Sequence, residues 1–304
     1  MTISERTETF FGKTVQDYDA GQAVSADPGI VYRLSLDYDA DRSMADLLEE
    51  FLDKADKKTL QALIIGMWGE SNDTGPGDVL AMLESRAPEL PALRALFIGD
   101  MTYEECEISW IIQGDYQPLL MAFPRLEELR IRGATSLQLP AFTHAGLRRL
   151  VIECGGLPQE IAQALAQSSL PALEHLELWL GTSDYGFAGD TALYGRVVDR
   201  LRSPTLRYLG LRDAEIADDL ARWLAGQDWV AGLETLDLSL GTLGDAGAQA
   251  LCGSAPMRKL KRLDLSHHYI SQLLQDQLRA AIPGVVLDDP QEPDGDQRYV
   301  AVGE

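Results

Sequence analysis

The stretch Leu233–Cys252, LETLDLSLGTLGDAGAQALC, decides how the rest of the chain is read. Leu233, Leu236 and Leu238 fall in the frame L-x-x-L-x-L, which makes a short strand with one apolar face. Gly241 is read as the turn, and Leu243 as a plug pointing inward. Asp245 is placed to cap a helix carrying Ala248, Leu251 and Cys252 on one side. Strand, turn and helix form a unit too small to bury its own apolar face, so the stretch predicts neighbours of the same kind.

The frame begins again at Val31, Leu60, Leu93, Leu126, Leu147, Leu173, Leu206, Leu260 and, more weakly, Ile282, at intervals of 21 to 33 residues. Its fourth and sixth positions are apolar each time, from Leu34 and Leu36 to Val285 and Leu287. A doubly wound α/β domain also alternates strands with helices, but its doubly buried strands read as continuous apolar runs. Here the alternate positions are polar, as in LEELRI, LEHLEL and LKRLDL. The expected fold is an α/β leucine-rich-repeat solenoid of about ten repeats with parallel strands. Adjacent strands sit about 4.8 Å apart, whereas packed helices need about 8–10 Å. That mismatch predicts a horseshoe with strands on the concave face and helices on the convex face.

Residues 1–29 precede the array and hold Phe10-Phe11, Gly12 and a short β-like run, the makings of an N-terminal cap. Residues 30–288 form the solenoid, one domain because each unit packs on its neighbours. Residues 289–304 begin with the acidic linker DDPQEPDGDQ and end in RYVAVGE, expected as a strand pairing with the last repeat or as a tail.

LGDAGAQAL in its strand-helix setting resembles the ribonuclease-inhibitor class of leucine-rich repeats. That class places Asn or Cys three residues after the last strand Leu, where side chains hydrogen-bond successive loops into a ladder. Here those positions hold residues such as Trp68, Met101, Ala134, Gly181 and His268, so backbone or inserted residues must satisfy the loops. The runs ALIIGMWGE, FIGDMTYEECEISWI, LELWLGTSDYG, LDLSLGTLGDAGAQAL and RYVAVGE resemble a family of single-domain bacterial leucine-rich-repeat proteins without assigned activity. Its members tend to be encoded near radical-SAM and ATP-grasp enzymes. The resemblance implies an accessory scaffold in a peptide-modifying pathway and supplies no catalytic residues.

The chain has 48 acids against 26 bases, a formal net charge of -22. Phosphate binding needs a basic footprint, which argues against nucleic acid and anionic membrane as partners and favours a basic peptide or protein. No apolar run reaches the roughly 20 residues of a spanning helix. The opening MTISERTETFFGK lacks the apolar core of a signal peptide, and the three cysteines, Cys106, Cys154 and Cys252, lack ligand-like spacing. A cytoplasmic protein without metal or cofactor is expected.

Alternate strand positions place Ile64, Phe97, Arg130, Arg132, Arg149, Trp179, Tyr208 and Arg212 on the concave face. Long insertions after strands two, three and six add Trp68, Tyr103, Trp110 and Tyr185 to a rim rich in acids such as Glu70, Asp73 and Glu104. Aromatic and Arg side chains anchor interfaces, so these twelve are the expected contacts of a non-catalytic protein- or peptide-binding scaffold. The alternative is an enzyme or enzyme subunit with a metal-binding acidic site at Glu104, Glu105 and Glu107. Consecutive side chains diverge, however, and no His lies near them in sequence.

Overall fold

Every frame becomes a strand because its fourth and sixth side chains can share one dry layer with the following helix. Leu63, Leu96, Leu129 and Leu150, and later Leu176, Leu209, Leu236 and Leu263, are all 0% exposed. Burying each such Leu is worth about 1.5–3 kcal/mol. The structure, a computed structural model, describes residues 3–303. The outermost parts of the expected cap and tail, residues 1–2 and Glu304, lie outside the described residues. The fold is an α/β leucine-rich-repeat solenoid, and its chain divides into two compact units.

The first unit comprises residues 3–152 with Ser168–Ala172. Its strands are β1 (Thr9–Phe10), β2 (Lys13–Tyr18), β3 (Ile30–Leu36), β4 (Ala62–Trp68), β5 (Ala95–Ile98), β6 (Glu128–Arg132) and most of β7 (Arg149–Glu153), adjacent in chain order. Helices α1 (Met44–Lys54), α2 (Gly77–Arg86) and α3 (Gln117–Ala122) alternate with them. Helix α1 starts at a capping box between Ser43 and Asp46 and buries Leu47, Leu48, Phe51 and Leu52. Residues 133–148, which carry Gly133, Pro140 and Gly146, contain no helix.

In register, Leu63, Leu96 and Leu129 lie side by side. The first frame is displaced by two residues: Tyr32 pairs with Leu63, and Leu34 with Ile65. A shift of two keeps every side chain on its face. The N-terminal segment makes two kinds of contact with the array. Strand β2 pairs in parallel with the open edge of β3, and the β1–β2 hairpin places Phe10 against Val31, Ala62, Ile64, Ala95 and Phe97.

The second unit comprises Glu153–Gln167 with Leu173–Gly303. It contains α4 (Gln159–Leu165), β8 (His175–Gly181), α5 (Thr191–Leu201), β9 (Tyr208–Ala214), α6 (Ala217–Ala225), β10 (Thr235–Asp237), α7 (Asp245–Gly253), β11 (Arg262–Asp264), α8 (Gln272–Ala281) and β12 (Val285–Val286). Leu176, Leu209, Leu236 and Leu263 are in register along β8 to β11.

The deciding stretch departs in detail from its reading. Leu243, Ala248 and Leu251 are buried as expected, but Cys252 is only half-buried. The left-handed residue of the turn is Leu240, with φ +69°, not Gly241. Asp245 does not cap its own helix. The Asp218 carboxylate of α6 accepts the N–H groups of Gly244 and Gly247 at the start of α7, both at 2.9 Å. Asp245 in turn accepts the N–H of Ser271 ahead of α8 at 2.7 Å. The starts of α7 and α8 are thus tied to the preceding repeat, a local substitute for the missing loop ladder.

Other loops are stitched by backbone, as at Gln113 N–H to Thr135 C=O and Thr242 N–H to Ala214 C=O. Gly181 shows how close this brings the chains: its φ is +70°, and a Cβ there would collide with the Gly155 carbonyl. The C-terminal tail forms no strand with the last repeat. It runs back across the corners that follow the strands. Ala301 N–H donates to Leu240 C=O at 2.7 Å, Val302 N–H donates to Asp213 at 2.9 Å, and Gly303 lies against the Tyr185 ring. Buried Val300, Ala301 and Val302 hold it there.

Candidate functional site

In the first unit the alternation put Ile64, Phe97, Arg130 and Arg132 on the concave side of β4 to β6, and there they meet. They are not open, however. Ile64 and Phe97 are 0% exposed because Phe10 lies on them, with its ring 6.0 Å from that of Phe97. The Arg130 guanidinium covers the same ring at 4.3 Å. Arg132 is buried, donating to Met101 C=O at 2.5 Å and pairing with Asp100 at 3.4 Å. Asp100, 0% exposed, also receives Arg33 at 2.8 Å. Arg149 is half-exposed and pairs with Glu128 at 3.1 Å. Trp68 is a further correction: it is buried, its indole N–H on Thr74 C=O at 2.9 Å, pinning its own loop.

The rim behaves differently. The loop after β5 packs along the loop after β4 through Ile112 N–H to Ser71 C=O. It anchors itself with buried Tyr116, whose hydroxyl donates to Gln113 at 2.6 Å. Held this way, Trp110 and Tyr103 stand 59% and 41% exposed, and Tyr38 after β3 joins them at 48%. Asp39, Glu70, Asp73, Glu104 and Asp115 are exposed along the same loops. Tyr38 escaped the sequence reading because its loop is short; its signal was an aromatic amid acids in SLDYDADRS.

In the second unit Trp179, Arg212 and His175 converge on the Glu177 carboxylate of β8, and Tyr208 stacks against the His175 ring. The Trp179 indole N–H donates to Glu177 at 2.9 Å, Arg212 at 2.7 Å, and a His175 ring nitrogen lies 3.1 Å away. Burial pushes the Glu177 carboxyl up, but the His175 hydrogen bond, the Arg212 charge and the indole donor outweigh it and hold it below the usual range. His175 stacks on Tyr208 at 3.8 Å, and the Tyr208 hydroxyl donates to Asp237 at 2.7 Å. Tyr208 and Arg212 keep part of their surface open, whereas Trp179, with Arg212 over its ring, is buried. Tyr185 is half-buried under the C-terminal tail.

Within the acidic run expected as the alternative metal site, Glu105 is the residue tied into the fold. Glu105 pairs with Arg6 and accepts the Thr102 N–H at 2.9 Å. Burial and the adjacent carboxylates push the Cys106 thiol up to about 11, far from a thiolate at neutral pH. Among the described residues no group of three His, Cys, Asp or Glu is placed to hold a metal ion. Among them, too, no helix is long and apolar enough to cross a membrane.

A leucine-rich-repeat family model matches residues 233–252, the stretch from which the fold was read. The crystal structure of a Bacteroides fragilis protein, a Northeast Structural Genomics Consortium target, is similar at 30% identity and a TM-score of 0.81. The match covers 90% of this chain and 77% of that one. The chain belongs to the same family of leucine-rich-repeat proteins. No curated protein matches it. Leucine-rich repeats ordinarily serve as binding scaffolds, and the sites above are those such a repeat protein offers.

Proposed function

We propose that this leucine-rich-repeat protein is a non-catalytic scaffold that binds a protein or peptide carrying basic segments. The observation that carries the reading is Trp110, a rigid aromatic 59% exposed on an anchored loop amid exposed carboxylates. Interface energy concentrates in a few such anchors. Tyr103 and Tyr38 widen the patch, and half-open Arg130 and Arg149 lie on the strands of the same unit. Tyr208, Arg212 and Tyr185 offer a second, partly open surface in the other unit. Trp68, Trp179 and Arg132 leave the open contact set because they are buried in their own unit, and Ile64 and Phe97 are covered while Phe10 lies on them. The accessory role implied by the family resemblance fits a scaffold of this kind.

Affinity capture from the source cells, followed by titration of the purified partner, tests the reading. Trp110→Ala is expected to weaken binding by about 2 kcal/mol, roughly thirtyfold, with an unchanged melting temperature. A partner bound equally well by wild type and by the Trp110→Ala and Tyr103→Ala variants would remove the rim from the site.

A further inference from the structure

The concave face of the first unit already holds an extended peptide, the chain's own residues 3–11. Tyr103 N–H donates to Ile3 C=O at 2.8 Å, and Arg6 pairs with Glu105. Thr7 is read on both sides of its backbone. Its N–H faces both oxygens of buried Asp100 at 3.3 Å, its hydroxyl donates to the same carboxylate at 3.0 Å, and its carbonyl accepts from Arg33 at 3.2 Å. Three residues on, Phe10 drops into the apolar floor formed by Val31, Ile64 and Phe97.

Two observations separate this arrangement from a fixed terminal cap. From Ile3 to Thr9 no side chain is buried, so Phe10 is the one buried anchor of the segment. A cavity of about 870 Å³ also runs beside it, walled by residues 4–9 on one side and by Val15, Arg33, Thr102 and Glu104 on the other. The groove beneath is well built by comparison. Asp100 is held by two guanidiniums, and Arg132 is itself fixed by Gln113, which donates to its carbonyl at 2.7 Å.

We propose that this face is a peptide-recognition groove and that residues 3–11 are its built-in, displaceable occupant. Its ligand is an extended segment of another protein with an aromatic side chain three residues after the peptide group read by Asp100 and Arg33. The proposal rests on the scaffold reading and adds the ligand's chemistry. Backbone N–H and C=O groups are common to every peptide, so Asp100 and Arg33 accept any extended segment, and the apolar floor selects the aromatic. The tethered segment competes at an effective concentration on the order of millimolar. Apparent affinity for a free peptide is therefore the intrinsic affinity multiplied by the fraction of chains with the segment displaced. Weakening the tethered anchor must raise that affinity.

The test titrates a fluorescein-labelled peptide of residues 3–12, ISERTETFFG, into the full-length protein and into full-length Phe10→Ala, followed by fluorescence polarisation. The variant is expected to bind at least tenfold more tightly than wild type. The same peptide carrying Phe10→Ala is expected to bind the variant at least tenfold more weakly. Amide exchange of unaltered wild type guards against a variant that fails to fold: the Thr7 amide is expected to exchange at least a hundredfold faster than those of Leu63 and Ile65 in β4. No peptide binding by a folded variant, or equal exchange of Thr7 and β4, makes the segment an integral cap and overturns the proposal. A variant that elutes as a dimer overturns it as well, by placing the arm of a second copy there. None of these outcomes touches Trp110, so the rim reading stands or falls separately.

Discussion

Trp179 lies on the concave side of β8 with 7% of its surface exposed, its indole N–H on Glu177 and the Arg212 guanidinium 5.0 Å from its ring. Its removal is therefore a stability event. Trp179→Ala is expected to cost about 3 kcal/mol or more, read as a shift in the denaturation midpoint. A loss below about 1 kcal/mol would mean that the cluster is not packed as described. Glu177 gives the same cluster a pH signature. Its folded-state pKa is depressed, so its contribution is fully present above the ordinary value of 4.5 and is lost as pH falls through the folded value. The stability gap between wild type and Glu177→Gln, full near about pH 6, should narrow as pH drops below that value. A gap that stays constant down to about pH 3 would deny Glu177 a charged, paired state. Alternation along a strand told correctly which side these residues occupy. It carried no information on what would cover them: Phe10 reaches Phe97 through the terminal hairpin, and Arg212 reaches Trp179 from the register-matched position of the adjacent strand β9.

At the scale of elements the repeat period was the legible part, and with it every strand of the array. The ends of elements were less so, because their caps come from elsewhere. Asp245 sits where a helix cap belongs, yet it serves the next repeat, and Asp218 serves α7. A local motif cannot show a bond made across a repeat. The C-terminal segment differs from a paired strand for a related reason: RYVAVGE has the composition of a strand, but its N–H groups find partners on the corners at Leu240 and Asp213. The shared capping makes a sharp prediction. Asp218→Ala removes the acceptor of two helix-start N–H groups and the Arg298 ion pair, and should cost about 1–2 kcal/mol. Its neighbour Asp219 forms only an exposed pair with Arg222 three residues on, and Asp219→Ala should cost about 0.5 kcal/mol or less. Equal losses in thermal melts would show that the helices are capped some other way.

Across the whole chain the net charge of -22 divides into acids that build the fold and acids that face solvent. Asp100 and Glu177 belong to the first kind, neutralised by Arg33, Arg132 and Arg212 at short range, and they project little field. Asp39, Glu70, Asp73, Glu104 and Asp115 belong to the second and lie exposed on the loops after β3, β4 and β5, as do Tyr38, Tyr103 and Trp110. A potential from exposed charges acts on encounter more than on the lifetime of a complex. It is also screened beyond about 8–10 Å at physiological salt. A basic partner should therefore associate at least about tenfold more slowly when salt rises from about 0.05 to 0.5 M, with its dissociation rate changed far less. Trp110→Ala should show the opposite pattern, faster dissociation with a nearly unchanged on-rate, because an aromatic anchor acts after contact is made. Stopped-flow or surface-based kinetics on the two proteins separate the effects. An on-rate indifferent to salt would leave solubility as the role of the surplus acids and would take the basic character out of the proposed partner.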